Sequence, residues 1–138
     1  MRSKKFDISS NLNAWYGFYE WNKPVFHINK KDDRYQKFIN QKKEFGFTDE
    51  ETWSLYDNIV LFVTPRLKRF IEIIDETGSY PASLNSSQEW LEILNKMLFA
   101  FEKLLEISKN DIDVTDEEHQ KIQEGLNLFS EWFLDLWW

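Results

Sequence analysis

The sequence has no cysteine. That excludes a disulfide framework, a thiolate metal site and a cysteine nucleophile, and it fits a reducing compartment. Glycine is scarce, with four residues, and no two of them share a local motif. Phosphate cradles of P-loop or dinucleotide type need clustered glycines to bring backbone amides against a pyrophosphate, so they are excluded. Histidine occurs twice, as His27 and His119. Asp116 and His119 stand i, i+3 with Glu118 beside them, but a bundle metal site wants such a pair from each of two helices and further glutamates. A single copy in the first turn of a helix reads as acids favoured by the helix dipole, and no metal or other cofactor is expected. Long apolar runs are missing too. The best, "IVLFV" at 59–63, is far short of a membrane span. The opening "MRSKKFDISSNLNAWYGF" starts basic but lacks an apolar core of signal-peptide length. The reading is a soluble, cytoplasmic chain with no membrane partner.

Catalytic patterns are equally thin. No Ser-His-Asp order with a nucleophile elbow is present. Only Asp57 and Asp135 stand among apolar neighbours, and a charge on a helix face accounts for both. The chain reads as a non-enzyme.

Aromatic residues, by contrast, are abundant: seven Trp, five Tyr and twelve Phe in 138 residues. Most belong to a heavy core; a surplus facing a flat ligand or a partner is the sharper alternative. Charge is unevenly spread within a net of −7. Residues 1–48 hold ten Lys or Arg against five acids, and residues 49–138 hold seven against nineteen. Nonspecific nucleic-acid binding needs a basic face, so direct binding is disfavoured. A two-signed molecule can pair with itself or offer one sign to a partner.

Helix starts recur. "TDEE" (48–51), "SSQE" (86–89) and "TDEE" (115–118) each place Ser or Thr three residues before Glu, the capping-box spacing. An apolar stripe follows each. The first runs Trp53, Tyr56, Ile59, Val60 and Val63, then resumes past Pro65 as Leu67, Phe70, Ile71 and Ile74. The second runs Trp90, Leu94, Met97, Phe101 and Leu104 or Leu105. The third runs Ile122, Leu126, Phe129, Phe133 and Leu136. "TGSYP" (77–81) stops the first, with Gly78 as cap. "KDDRYQKFINQKKEFGF" (31–47) predicts a short polar helix with Asp32 and Asp33 at its start, a thin stripe of Tyr35, Phe38 and Ile39, and Gly46 at its end. "ISKNDIDV" (107–114) reads as a loop. The fold expected is all-α: a compact bundle of four to five helices in a single domain, 1–138, with an irregular aromatic N-terminal segment holding Gly17 and Pro24.

Two features stand out. "TPRLKRF" (64–70) puts Arg66, Lys68 and Arg69 behind Pro65. Either the helix kinks there, with both halves nearly collinear, or a new helix starts with Pro65 and adds free amides to the cations. Arg66 and Arg69 share a face and suit a phosphate or carboxylate; internal pairing with Glu72, Asp75 or Glu76 is the plainer reading. At the other end, "SEWFLDLWW" closes on Trp137 and Trp138, which must pack on the bundle, on a second copy or on a partner.

"GFTDEETWSL" (46–55), "PRLKRF" (65–70), "SYP" (79–81), "EWLEILNKMLFAFE" (89–102) and "EGLNLFSEWFLDLWW" (124–138) follow in fixed order. Together they resemble a family of small proteins encoded by tailed phages, prophages and environmental viral genomes, over residue 12 to the end. One departure is that the family pattern has an acid at position 56, where this chain has Tyr56 and places the acid at Asp57. The resemblance carries over no catalytic residues. It implies a viral accessory protein acting in the cytoplasm of an infected bacterial host.

The function expected is sequestration of a small nucleotide-like or phosphorylated ligand to counter host antiviral defence. Arg66, Arg69 and Lys68 would hold phosphate, and Trp53, Tyr80 and Trp15 would stack a base. Trp137 and Trp138 would form the interface of a homo-oligomer. The alternatives are a host-protein inhibitor that mimics DNA with its acidic surface, Asp111 to Glu124, and a minor phage structural or assembly protein.

Overall fold

The structure, a computed structural model, describes residues 30–110 and 112–138. Among them every regular element is helical: α1 (Asp33–Phe45), α2 (Asp49–Trp53), α3 (Leu55–Thr77), α4 (Ser87–Asn110) and α5 (Asp116–Glu131), then a 3-10 turn, Phe133–Asp135. The chain is all-α, as its patterning requires. It divides into two compact units, Met1–Asn58 and Ile59–Trp138.

In the first unit, α1 begins where the Asp32 carboxylate accepts the Arg34 amide at 2.9 Å. The Arg34 guanidinium also donates to it, which holds the Asp32 carboxyl below its usual range. The helix ends at Gly46, whose φ of 84° is the left-handed conformation that a Cβ would strain, and whose amide returns to Lys42 O at 2.9 Å. Of the thin stripe, Phe38 is buried.

The first capping box is complete. The Glu51 amide donates to Thr48 Oγ1 at 3.3 Å, and the Thr48 amide donates to Glu51 Oε2 at 2.6 Å. Glu51 also meets Lys42 Nζ at 3.5 Å, with both side chains nine-tenths buried. Burial pushes the Lys42 ammonium below its ordinary pKa, and the Glu51 charge offsets only part of that.

The stripe drawn from Trp53 through Tyr56 and Ile59 needs correction. α2 lasts five residues, and Ser54 then leaves helical geometry at φ −117°, ψ 65°. Its hydroxyl donates to the Asp57 carboxylate, three residues into α3. The Asn58 amide group donates to Glu51 O at 2.8 Å and Ser54 O at 3.2 Å, bridging the break. The interruption shifts the phase, so Trp53 is 88% exposed and Tyr56 and Ile59 are exposed as well.

In the second unit, α3 runs unbroken through Pro65. Pro65 is interior, so no new helix starts there and no freed amides add to the cations. The helix tolerates it locally. Proline leaves the Leu61 carbonyl without its helical donor. On either side, Thr64 Oγ1 donates to Val60 O at 2.6 Å and Arg66 Nη1 donates to Phe62 O at 3.0 Å, back-bonding of the kind that bends helices. The core is the predicted one: Val60, Leu67 and Ile74 from α3 meet Trp90, Leu94, Met97 and Phe101 from α4. Each such buried side chain contributes about 1.5–3 kcal/mol.

α4 and α5 come close together at Gly125. A Cβ there would lie 2.5 Å from both Ala100 Cβ and Lys96 O. The second and third N-caps also hold: the Glu89 amide donates to Ser86 Oγ at 3.2 Å, and the Glu118 amide to Thr115 Oγ1 at 3.2 Å. Their glutamates go elsewhere. Glu89 accepts from the Asn85 amide at 3.0 Å, and Glu118 meets Lys103 at 3.7 Å.

Two boundaries differ from expectation. α4 continues through Asn110, so residues 107–110 are helix and the loop is shorter than "ISKNDIDV". α5 stops at Glu131, and Phe133 and Leu136 lie beyond it. Apolar spacing persists across that end because the 3-10 turn keeps Leu136 packed on the core.

Candidate ligand site

The end of α3 sets the site. Gly78, at φ 69°, caps the helix by donating its amide to Ile74 O at 2.8 Å. The chain then turns through Ser79, Tyr80 and Pro81, and the Leu84 amide closes that turn on Pro81 O at 2.9 Å. The tail leaves the 3-10 turn with the Trp137 amide donating to Asp135 O at 2.9 Å. Leu136 packs inward, and the next two residues turn out.

Between the turn and the tail lies a cavity of about 400 Å³. Ile74 and Trp90, both fully buried, form its floor. Trp90 is itself backed by Trp132, at 5.4 Å between ring centroids. Gly78, Ser79, Tyr80 and Pro81 form one wall; Asp135, Trp137 and Trp138 form the other. Trp137 is 74% exposed and Trp138 66%, with Tyr80 about half exposed. Among the described residues no lysine, arginine or histidine lines the cavity.

The structure therefore brings together Tyr80, Trp137 and Trp138, and it leaves the predicted cations elsewhere. Arg69 is exposed and engaged by Glu72 at 2.9 Å and Glu76 at 3.3 Å, which raises its pKa further. That is the internal pairing open to it from the sequence. Arg66 stacks on the Phe62 ring, its Cζ 4.0 Å from the centroid. It edges a separate apolar groove of about 320 Å³, which Phe70, Phe129 and Phe133 also line. Lys68 is exposed on α3. Trp53 belongs to the first unit, and Trp15, with His27, lies outside the described residues.

Asp135 was legible in the sequence only as a charge among leucines; its place on the cavity wall follows from the 3-10 turn. Trp90 read as core, and it is core, but it also lines the cavity. The acids of 112–124 are interleaved with cations. Lys121 pairs with Glu117 at 3.3 Å, Lys96 with Glu124 at 2.9 Å, and Lys103 with Glu118 at 3.7 Å. Asp111 lies outside the described residues. Among the described residues no three His, Asp or Glu side chains gather as metal ligands, and no helix is long and apolar enough to cross a membrane. No family model, no curated protein and no solved structure matches this chain.

Proposed function

We propose that the protein is a non-enzymatic viral accessory protein that binds and sequesters a small nucleotide-like ligand, with the cavity between the 78–81 turn and the C-terminal tail as its site. One observation carries this reading: Tyr80, Trp137 and Trp138 surround one cavity while staying largely exposed. Indoles left in water lose the hydrophobic free energy that a flat ring placed against them recovers. The volume falls within the range of about 300–1,000 Å³ usual for small-molecule sites.

The viral role rests on the resemblance to phage and prophage proteins. In that setting the ligand is a nucleotide-derived signal of host defence, removed from the cytoplasm of the infected cell. A homo-oligomer belongs to the same proposal, since a second copy seated on Trp137 and Trp138 would close the open side.

The test is native mass spectrometry of the protein taken from infected cells, followed by denaturation and analysis of what is released. A stoichiometric compound with nucleobase absorbance, lost in a Tyr80→Ala/Trp137→Ala variant that keeps its helicity, supports the reading. Equal retention by that variant overturns the site.

Inhibition of a host protein by DNA mimicry is less well supported, because lysines interrupt the acidic surface. It predicts a salt-sensitive complex with a nucleic-acid-binding host enzyme. A structural role in the virion predicts the protein in purified particles.

A further inference from the structure

We infer that the ligand of this cavity carries a positive charge on a weakly hydrated nitrogen, as in a quaternary ammonium or an N-methylated purine, and is not held by a phosphate. The inference rests on the cavity reading above and adds the charge of the ligand to it.

Three sources of negative potential meet at the cavity. Tyr80, Trp137 and Trp138 line the cavity, and an aromatic ring that turns its face to a cation offers it the negative lobe of the ring quadrupole. The Asp135 carboxylate stands on the same wall, and among the described residues its side chain has no ion pair or hydrogen bond. The third source is the C-terminal end of α3, where the helix dipole places partial negative charge. Helices commonly offset that charge with basic residues in the last turn; α3 has none there and carries Asp75, while Glu76 is engaged by Arg69. Gly78, the capping residue, is itself part of the cavity wall.

Nothing in the lining opposes this potential, since among the described residues it holds no cation. A phosphate seated here would face Asp135 without a counter-charge. A small hydrated ammonium would give up strong hydration on entering an aromatic cage. A quaternary or ring-borne cation has little hydration to lose and gains the ring faces and the carboxylate together. Flat shape and positive charge coincide in an N-methylated purine, which satisfies both the stacking surface and the potential.

The experiment is isothermal titration of the full-length protein with guanosine, 7-methylguanosine, guanosine monophosphate and tetramethylammonium. Guanosine and 7-methylguanosine share a ring and differ by one methyl group and one positive charge. The expected result is 7-methylguanosine binding about tenfold or more tighter than guanosine, with Asp135→Asn cutting that ratio severalfold while leaving thermal stability in place. Tetramethylammonium should compete for the same site. Equal affinity for the two nucleosides overturns the charge assignment and leaves the cavity reading standing. Preference for the monophosphate overturns it in favour of an anion. If tetramethylammonium alone binds, the charge assignment holds and the nucleotide-like ligand falls. Absence of binding by all four compounds overturns both.

Discussion

The two units hold themselves together differently. In residues 30–58 the buried side chains include a polar set, Thr48, Glu51 and Lys42, joined by a complete capping box and an ion pair, with Phe38 beside them as the buried apolar residue. In residues 59–138 the buried set is apolar and continuous from Val60 to Phe101. Their exposed aromatics differ in the same way. Trp53 is exposed on a five-residue helix, and the exposed Phe45 and Phe47 rings lie 6.1 Å apart at the end of α1, whereas Trp137, Trp138 and Tyr80 line one cavity. The contrast teaches that an exposed aromatic means little by itself. It becomes evidence of a site when a second element brings others to the same space.

The largest effect is expected where the polar unit depends on one residue. Glu51→Ala removes the reciprocal half of the cap and leaves Lys42 buried without its carboxylate. It should cost about 3 kcal/mol or more, and hydrogen exchange should show the loss in the amides of α1 and α2. A change under about 1 kcal/mol would mean that the pair contributes little.

The apolar unit should break where α5 passes close to α4 at Gly125. Gly125→Ala gains helix propensity of about 1 kcal/mol, yet its methyl group meets Lys96 O and Ala100 Cβ at 2.5 Å. Backbone must shift to admit it, so a net loss of about 2 kcal/mol is expected in urea unfolding. Stabilisation instead would show that α4 and α5 slide apart freely.

Thr115→Ala removes the hydroxyl that accepts the Glu118 amide and should cost about 1 kcal/mol, read as a lowered melting temperature. Arg69→Ala should leave the melting temperature nearly unchanged, because its pairs with Glu72 and Glu76 lie in solvent.

A pH series sharpens the comparison further. Lys42 has a folded pKa below its unfolded one, so the unfolded chain binds the extra proton between the two values. Stability should therefore rise with pH across that window, up to the ordinary lysine value, and fall again as pH drops through the lowered one. Lys42→Met should flatten the rise. A rise of the same size in the variant would assign it to another group.

Much of this was legible in the sequence. Three Ser or Thr residues set three before glutamate marked three real N-caps. Gly46 and Gly78 marked two real helix ends, and the stripes of α4 and the middle of α3 are the core. These signals are local, since a cap needs only its own turn and a stripe needs only the 3.6-residue period. The break at Ser54 was not legible, because nothing in "TWSLYDN" forbids a continuous helix; the side chains of Asp57 and Asn58 stabilise the interruption. The continuity through Pro65 was open, because Thr64 and Arg66 decide it by back-bonding.

The sequence by itself determined the all-α class, the caps and the helical faces that are buried, since each depends on spacing along one chain segment. Only the tertiary structure decided the site. It set the tail beside the 78–81 turn, so that Asp135 and the last two tryptophans share a cavity with Tyr80 and no arginine or lysine among the described residues lines it. Those residues lie more than fifty positions apart in the chain, and a ligand site is formed by proximity in space, which no local period encodes.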